Sequence, residues 1–349
     1  MKTKKEKANI VCTDFLPAKN WMFLNALSAT TQLEWQQKGW KNSGLIKGKW
    51  ANAQRLLGYF AHAWSIFFHR KRYDKIVAWQ QFYGLIFAFY CKLFHCRKVN
   101  QLIVMTFIYK DKGGIVGKLY KRFIKGIVRS KYVDKFVVFA ESEVGYYSDL
   151  FGVDKKKFEY MSLGIDEKVC SGEPSVDLPD KFILSVGRSN RDYAFLVECA
   201  DKLPLPVAIL TDTYKCDKLP DNVILYNNIH NIEYLQILNK CYAVVIPLKD
   251  PNISSGQLVM LRAMQYKKPI IITNSKAVDS YVKDGYNALV IDKNDEAFVN
   301  ATNVLLQDKD FYDQLVDNGY TEYKKKYSLS ALGKNIGNLF AENSVVSIR

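Results

Sequence analysis

Twice along this chain, short runs of apolar and β-branched residues alternate with longer helical patterns, and that alternation constrains the fold more than any other feature. In the first half the runs are 9–13 (NIVCT), 75–79 (KIVAW), 102–106 (LIVMT) and 135–140 (KFVVFA). Helical patterns lie between them near 50–68, 82–94 and 115–131. A strand covered on both faces reads as a continuous apolar run, and strand–helix alternation builds a mostly parallel sheet with helices against it. The stretch 170–180 (CSGEPSVDLPD) gathers Ser, Gly, Pro and Asp and reads as a linker. The pattern then restarts at 182–186, 207–211, 223–226, 243–247, 269–273 and 288–291, and ends in a polar-patterned helical stretch over 295–340. The expected architecture is α/β, with two doubly wound, Rossmann-like domains facing across a cleft. The N-terminal domain spans 1–169 and the C-terminal domain 181–349, with the last helix free to pack back on the first domain. A length of 349 residues agrees with two domains. Ligands of such sheets bind outside the carboxyl ends of the strands, so residues just past the strands are the site candidates.

Charge divides the chain along the same boundary. Residues 1–135 carry 26 Lys and Arg against 6 Asp and Glu, whereas the whole chain has 50 against 35. The first half is therefore strongly basic and the remainder mildly acidic. An anionic surface facing only the first half accounts for this imbalance. The segment 115–131 (IVGKLYKRFIKGIVRSK) sharpens the argument. Its apolar residues recur at helical spacing, and the other face holds Lys118, Lys121, Arg122, Lys125 and Arg129 with no acid. A helix of this kind suits the interface of an anionic membrane, and those five residues are the membrane-binding candidates. The plainer alternative is a helix that packs its apolar stripe on the sheet and shows lysines to water. The aromatic-rich segments 50–68 and 82–94 either present apolar surface to the same membrane or are core, and for much of their length they are read as core. No helix-turn-helix, RNA-binding motif or zinc finger accompanies the charge, so nucleic acid is not expected as a partner.

The chain has no apolar stretch near the roughly 20 residues of a membrane span; its longest run is FYGLIFAFYC at 82–91. The basic start MKTKKEKANIVCTDF lacks the apolar segment of a secretory signal. Seven scattered cysteines without CxxC spacing and only four histidines point to a reduced compartment and to no metal site. The expected location is cytoplasmic, peripheral on the inner membrane face.

Two segments of the second half carry phosphate-binding chemistry. In 182–196 (FILSVGRSNRDYAFL) a strand ends, Gly187 turns the chain, and Arg188 and Arg191 lie at the carboxyl end. Guanidinium groups stay charged and can hold two phosphate oxygens at once. In 252–268 (NISSGQLVMLRAMQYKK) Ser254 or Ser255 can cap a helix, and Gly256 permits close backbone approach to a ligand. A helix N-terminus presents amides and partial positive charge to an anion. Taken singly, these are also what surface arginines and an ordinary capped helix look like; their order in the chain is the specific signal.

That order resembles the C-terminal domain of the GT-B glycosyltransferases, in particular the large retaining class of bacterial family-4-type glycosyl transferases (group 1). The matching elements are Gly187-Arg188, Ser255-Gly256, Ala263-Met264, Lys268-Pro269 and the turn Asp284-Gly285-Tyr286-Asn287-Ala288-Leu289-Val290. A turn at Leu163-Gly164-Ile165-Asp166 before the linker agrees as well. The resemblance covers about 136–325. It implies a transferase that moves a sugar from a nucleotide-diphosphate sugar, a UDP-sugar ahead of a GDP-sugar, to a lipid-linked or polysaccharide acceptor. No cofactor or metal is implied, because the nucleotide-sugar is itself the substrate. Arg188, Arg191, Ser255 and Gly256 would hold the diphosphate. Ser254, Gln257, Arg262, Thr211, Asn228 and Ile229 would line the sugar and nucleoside. The class usually has glutamates at the positions of Ser254 and Arg262. Their replacement motivates a second reading, a GT-B-like protein that binds or partners at the membrane without catalysis. Retention of configuration needs no strong protein base. Inversion would call on a carboxylate of the first domain, with Asp14 the first candidate and Glu141 the second.

Overall fold

The computed structural model describes residues 7–40, 49–109, 112–251, 255–275 and 278–346. The chain forms two compact units: one runs to Gly164 and resumes at Leu329, and the other is Ile165–Ser328. Residues 170–180, read from composition as a linker, are fastened within the second unit: Cys170 N donates to the Tyr266 hydroxyl at 2.7 Å.

In the first unit β1 (Ala8–Thr13), α1 (Met22–Thr31), β2 (Trp35–Gly39), α2 (Lys49–Phe68), β3 (Tyr73–Ala78) and α3 (Gln81–Leu93) follow in order. Next come β4 (Gln101–Val104), α4 (Gly114–Val128), β5 (Lys135–Val138), α5 (Glu141–Phe151) and β6 (Phe158–Tyr160). All six strands are parallel in the order β2-β1-β3-β4-β5-β6. The four apolar runs became strands. The edge strand β2 has no such run: WQQKG buries only Trp35, because an edge strand has little to cover it.

Side chains alternate across the sheet, and each face has its own helices. Ile10, Cys12, Ile76, Leu102, Val104 and Phe136 pack under α2 to α5. Val11, Val77, Ile103 and Val137 pack under α1 and the last helix, α11 (Leu329–Val346). Added Cβ atoms at Gly333 and Gly337 would stand 2.4 Å from the Phe23 carbonyl oxygen and 2.8 Å from Thr30. The absence of side chains there lets α11 lie tight on α1.

The second unit holds β7 (Ile183–Val186), α6 (Tyr193–Ala200), β8 (Val207–Leu210), β9 (Val223–Tyr226), α7 (Asn231–Lys240) and β10 (Ala243–Ile246). It continues with α8 (Gln257–Gln265), β11 (Ile270–Thr273), β12 (Leu289–Ile291), α9 (Asp295–Gln307) and α10 (Lys309–Glu322). Its parallel sheet has the order β12-β11-β10-β7-β8-β9. This is the doubly wound Rossmann order, and the direction of winding reverses between β7 and β10. A crevice opens at such a switch point, outside the carboxyl ends of the two strands. The loops after β7 and β10 are those that carry Gly187–Arg191 and Ser255–Gly256.

Candidate nucleotide site

The loop after β7 is shaped around one arginine. Gly187 has φ +139°, a backbone conformation that side chains disfavour. A Cβ there would touch the Arg191 guanidinium at 3.0 Å. Arg191 donates from Nε to the Val186 carbonyl (3.3 Å) and from Nη1 to the Ser189 carbonyl (2.9 Å). Its backbone bridges to Leu248, and Asp192 N donates to Pro247 O at 2.8 Å, which pins this loop to the one after β10. The same guanidinium reaches Gly256, where an added Cβ would lie 3.4 Å from Nη2. Burial pulls the pKa of Arg191 below the ordinary arginine range, and the charges felt around it come from the phenols of Tyr193 and Tyr234. Among the described residues no carboxylate forms an ion pair with it.

A partly desolvated cation without a counter-ion is costly, and two further features say what would satisfy it. Ser255 is buried, and its hydroxyl has no hydrogen-bond partner among the described residues. Helix α8 starts from Gly256 (φ +93°) without a side-chain cap, so the positive end of its dipole faces the same corner. The combination of a guanidinium, a hydroxyl and a helix N-terminus is a receptacle for an oxyanion. Ser254 lies outside the described residues.

Beside this corner is a cavity of about 670 Å³ at the ends of β7, β8 and β9. Gly187, Arg188, Thr211, Ile229, Tyr234 and Leu258 are among its lining residues. Arg188 is exposed and pairs with Asp212, and its Nη2 lies 3.4 Å from the His230 ring nitrogens. Asp212 also accepts from Asn228 N at 2.8 Å. That backbone bond, followed by Arg188 and His230, holds its carboxyl below the usual aspartate range. The two arginines thus have different positions: Arg191 spans the two glycine loops, and Arg188 organises the loop between β9 and α7. Thr211 donates to Gly187 O at 2.9 Å and fixes the floor between β7 and β8.

The family-model match falls within this unit, and the solved structures align over nearly the whole chain. Residues 214–322 match the family model described as glycosyl transferases group 1. The described fold aligns with Anabaena HepE in complex with UDP at a TM-score of 0.64 and 12% identity, covering 96% of this chain and 100% of that one. Sucrose-phosphate synthase from Thermosynechococcus elongatus aligns at 0.62 and 16% identity, covering 97% and 100%. The fold is that of GT-B glycosyltransferases. A curated relative, an uncharacterized glycosyltransferase of Methanocaldococcus jannaschii, is 26% identical over 140 residues; these are 37% of this chain and 39% of that protein's length.

Within this GT-B framework some sequence candidates stand elsewhere. Arg262 was expected at the donor. Instead it donates to the Asp166 carboxylate and, at 3.2 Å, to the Asp166 carbonyl, and it holds Gln265 Oε1 at 2.6 Å. Gln265 and Tyr323 also donate to Asp166 O. One turn along α8 from the cavity-lining Leu258, this side chain ties the start of the second unit to α8. Gln257 opens α8. Asn228 is left-handed (φ +62°) and Ile229 lines the cavity.

In the first unit Asp14 follows β1 and Glu141 opens α5. With β3 and β4 between β1 and β5, the two strand ends are roughly 14 Å apart at ordinary strand spacing. The structure therefore does not bring the two carboxylates together. Asp14 has company of its own: its charge is felt by the Tyr59 and Tyr83 hydroxyls, whose pKa values rise chiefly through burial and then through Asp14. Glu141 is exposed at a helix N-terminus, where a carboxylate favours the dipole.

The basic helix is more divided than its periodicity predicts. Ile124, Ile127 and Val128 dock on the sheet, but Ile115, Val116 and Leu119 face outward. Arg129 leaves the cationic row: its Nε donates to Phe151 O at 2.7 Å and caps the end of α5. Lys118 and Arg122 are exposed, and Lys121 and Lys125 are half-buried. No described helix is long and apolar enough to cross a membrane.

Sequence reasoning missed Tyr234. It lies one turn into α7, at the edge of the cavity, within electrostatic reach of both Arg262 and Arg191. The available signal was its place on the first turn after a strand end in a doubly wound sheet.

Proposed function

We propose that this protein transfers a sugar from a nucleotide-diphosphate sugar to a lipid-linked or polysaccharide acceptor in cell-surface glycan synthesis. The observation that carries the proposal is Arg191, a half-buried guanidinium wedged between Gly187 and Gly256, with no carboxylate partner among the described residues, next to a Ser255 hydroxyl that finds no hydrogen-bond partner among them either. When the bond from the anomeric carbon to the diphosphate oxygen breaks, negative charge grows on the leaving group. Preorganised cationic and dipolar groups stabilise that charge without reorganisation. Arg191, Ser255 and the start of α8 supply them from the protein, so the reading is metal-independent. With a base-independent departure of this kind, retention is the favoured outcome. The cavity between Thr211, Ile229 and Tyr234 takes the nucleoside. Support for a uridine nucleotide comes from HepE, whose solved complexes contain UDP, UDP with glucose, and UDP-glucose. WaaG, described as involved in lipopolysaccharide biosynthesis, aligns at a TM-score of 0.54 and 11% identity over 95% of this chain. The exposed Lys118 and Arg122 of α4 support a reading in which the first unit touches an anionic membrane on its cytoplasmic side.

The test is calorimetric binding of UDP and GDP, followed by turnover of a UDP-sugar panel with membrane extract as acceptor. Micromolar UDP binding with sugar transfer supports the reading; the absence of any nucleotide binding sinks it. One observation favours the second reading, a non-catalytic GT-B-like subunit: Arg262 stands where the class has an acid and is spent on Asp166. Nucleotide binding with no turnover of any donor would select it.

A further inference from the structure

In an α/β unit the outer faces of the covering helices meet water and usually carry charges of both signs. Here α2, α3 and α4, which cover the same sheet face, contain not one Asp or Glu. The stretch 56–68 of α2 (LLGYFAHAWSIFF) has no lysine or arginine either. Its inner side is core: Tyr59, Ala63, Ile66 and Phe67 are buried. Its outer side is nevertheless apolar. Leu57 is 69% exposed, Phe68 70%, and Trp64 44%. These positions share one helical face at spacings of seven and four residues. The end of α3 extends the patch, because Phe94 is 53% exposed with its ring 6.0 Å from Trp64 and 5.4 Å from Phe67.

The surroundings identify the occupant. Arg55 precedes the stretch, and Arg70, Lys71 and Arg72 follow it; Lys92 and Arg97 flank Phe94. Arg70 stacks its guanidinium 4.5 Å over the Phe67 ring. An apolar aromatic strip flanked in sequence by these cations complements a surface that is apolar inside and anionic at its edge. That description fits the headgroup–acyl boundary of an anionic bilayer. A protein partner or a second copy of the chain would leave the cations unmatched, and a nucleic acid would leave the exposed leucine and phenylalanine side chains in water.

We propose that the outer face of α2, continued by Leu93 and Phe94, inserts into the acyl boundary of an anionic membrane as a hydrophobic anchor. It adds a salt-resistant contribution to the electrostatic contact proposed for α4. It extends that membrane contact but does not depend on the donor chemistry, and its test needs no nucleotide.

The experiment uses the full chain with vesicles of phosphatidylcholine containing or lacking phosphatidylglycerol, with brominated acyl chains, at low and high salt. Binding to the anionic vesicles should quench tryptophan emission, and Trp64→Phe should remove most of that quenching while binding persists. Leu57→Ser with Phe68→Ser should abolish the salt-resistant binding, about tenfold or more in partition coefficient. Both side chains are exposed, so the fold and UDP affinity should be unchanged. By contrast, Lys118→Glu with Arg122→Glu should remove the salt-sensitive part alone; if it removes all binding, the anchor assignment is wrong. The proposal is also overturned if the serine variants bind vesicles as wild type does, if quenching survives Trp64→Phe in full, or if wild type is a dimer in lipid-free buffer that those serines convert to a monomer. Serine-sensitive binding of an RNA or DNA duplex, with none to vesicles, would also overturn it. Loss of UDP binding with intact vesicle insertion would refute only the transferase reading.

Discussion

Replacing Arg191 with methionine gives two effects of opposite character, and their separation tests the site. The side chain is half-buried, makes two hydrogen bonds to backbone carbonyls, and has no carboxylate partner among the described residues. In the ligand-free protein, methionine forfeits those two bonds, worth about 1 kcal/mol each. It also relieves the burial of an uncompensated charge, which costs a comparable amount or more. Unfolding free energy in urea should therefore change by less than about 1 kcal/mol, in either direction. In the complex, a diphosphate bound bidentately loses two charge-assisted hydrogen bonds at about 1.5–3 kcal/mol each. With part of that recovered from water, a net loss of about 3 kcal/mol is expected, which is roughly a hundredfold in UDP affinity by calorimetry. Arg191→Lys keeps the charge as a point without the fork and should fall between the two. A hundredfold loss of affinity at unchanged stability marks an anion-binding residue. If the methionine variant binds UDP within twofold of wild type and loses several kcal/mol of stability, Arg191 is a structural strut and the assignment of the diphosphate corner is wrong.

Gly256→Ala places a Cβ at φ +93°, 3.2 Å from Ile246 and 3.4 Å from Arg191; it should cost about 1–2 kcal/mol in stability and weaken UDP binding about tenfold, as read by thermal shift with and without UDP. Arg262→Ala leaves Asp166 and Gln265 without their partner, so it should cost the second unit about 1–3 kcal/mol and leave UDP affinity within about twofold; a larger affinity loss would return Arg262 to the donor site. His62 is buried, and its pKa is lowered to about 4, first by burial and then by Lys38. As pH falls below about 6.5 the unfolded chain takes a proton that the folded chain refuses until about pH 4, so this contribution to stability falls with pH across that window. At about 1.4 kcal/mol per unit of pKa shift, the stability advantage of wild type over His62→Gln should shrink by about 3 kcal/mol between pH 7 and 4; a constant difference would refute the assignment.

The chain order of the site was legible before any coordinates. Gly187, Arg191, Ser255 and Gly256 could be named because a strand end followed by glycine, and a helix start after glycine, are local signals. Which arginine lies between the two glycine loops was not local: Arg188 and Arg191 look equivalent in SVGRSNRDY, and only the meeting of the loops after β7 and β10 separates them. The contact of Arg262 with Asp166 was hidden for the same reason, since the two are 96 residues apart.

By itself the sequence determined the double alternation, the strands with continuous apolar runs, and the cationic bias of α4, because period and composition are properties of neighbours in the chain. The tertiary structure decided the order of strands, hence the switch point between β7 and β10, and the return of α11 to the first unit. It also decided which apolar side chains stay outside. Val116 and Ile127, eleven residues apart, fall within about 20° of each other on a helical wheel, yet Ile127 is buried against the sheet and Val116 faces solvent, because a stripe is buried only where a neighbouring element covers it.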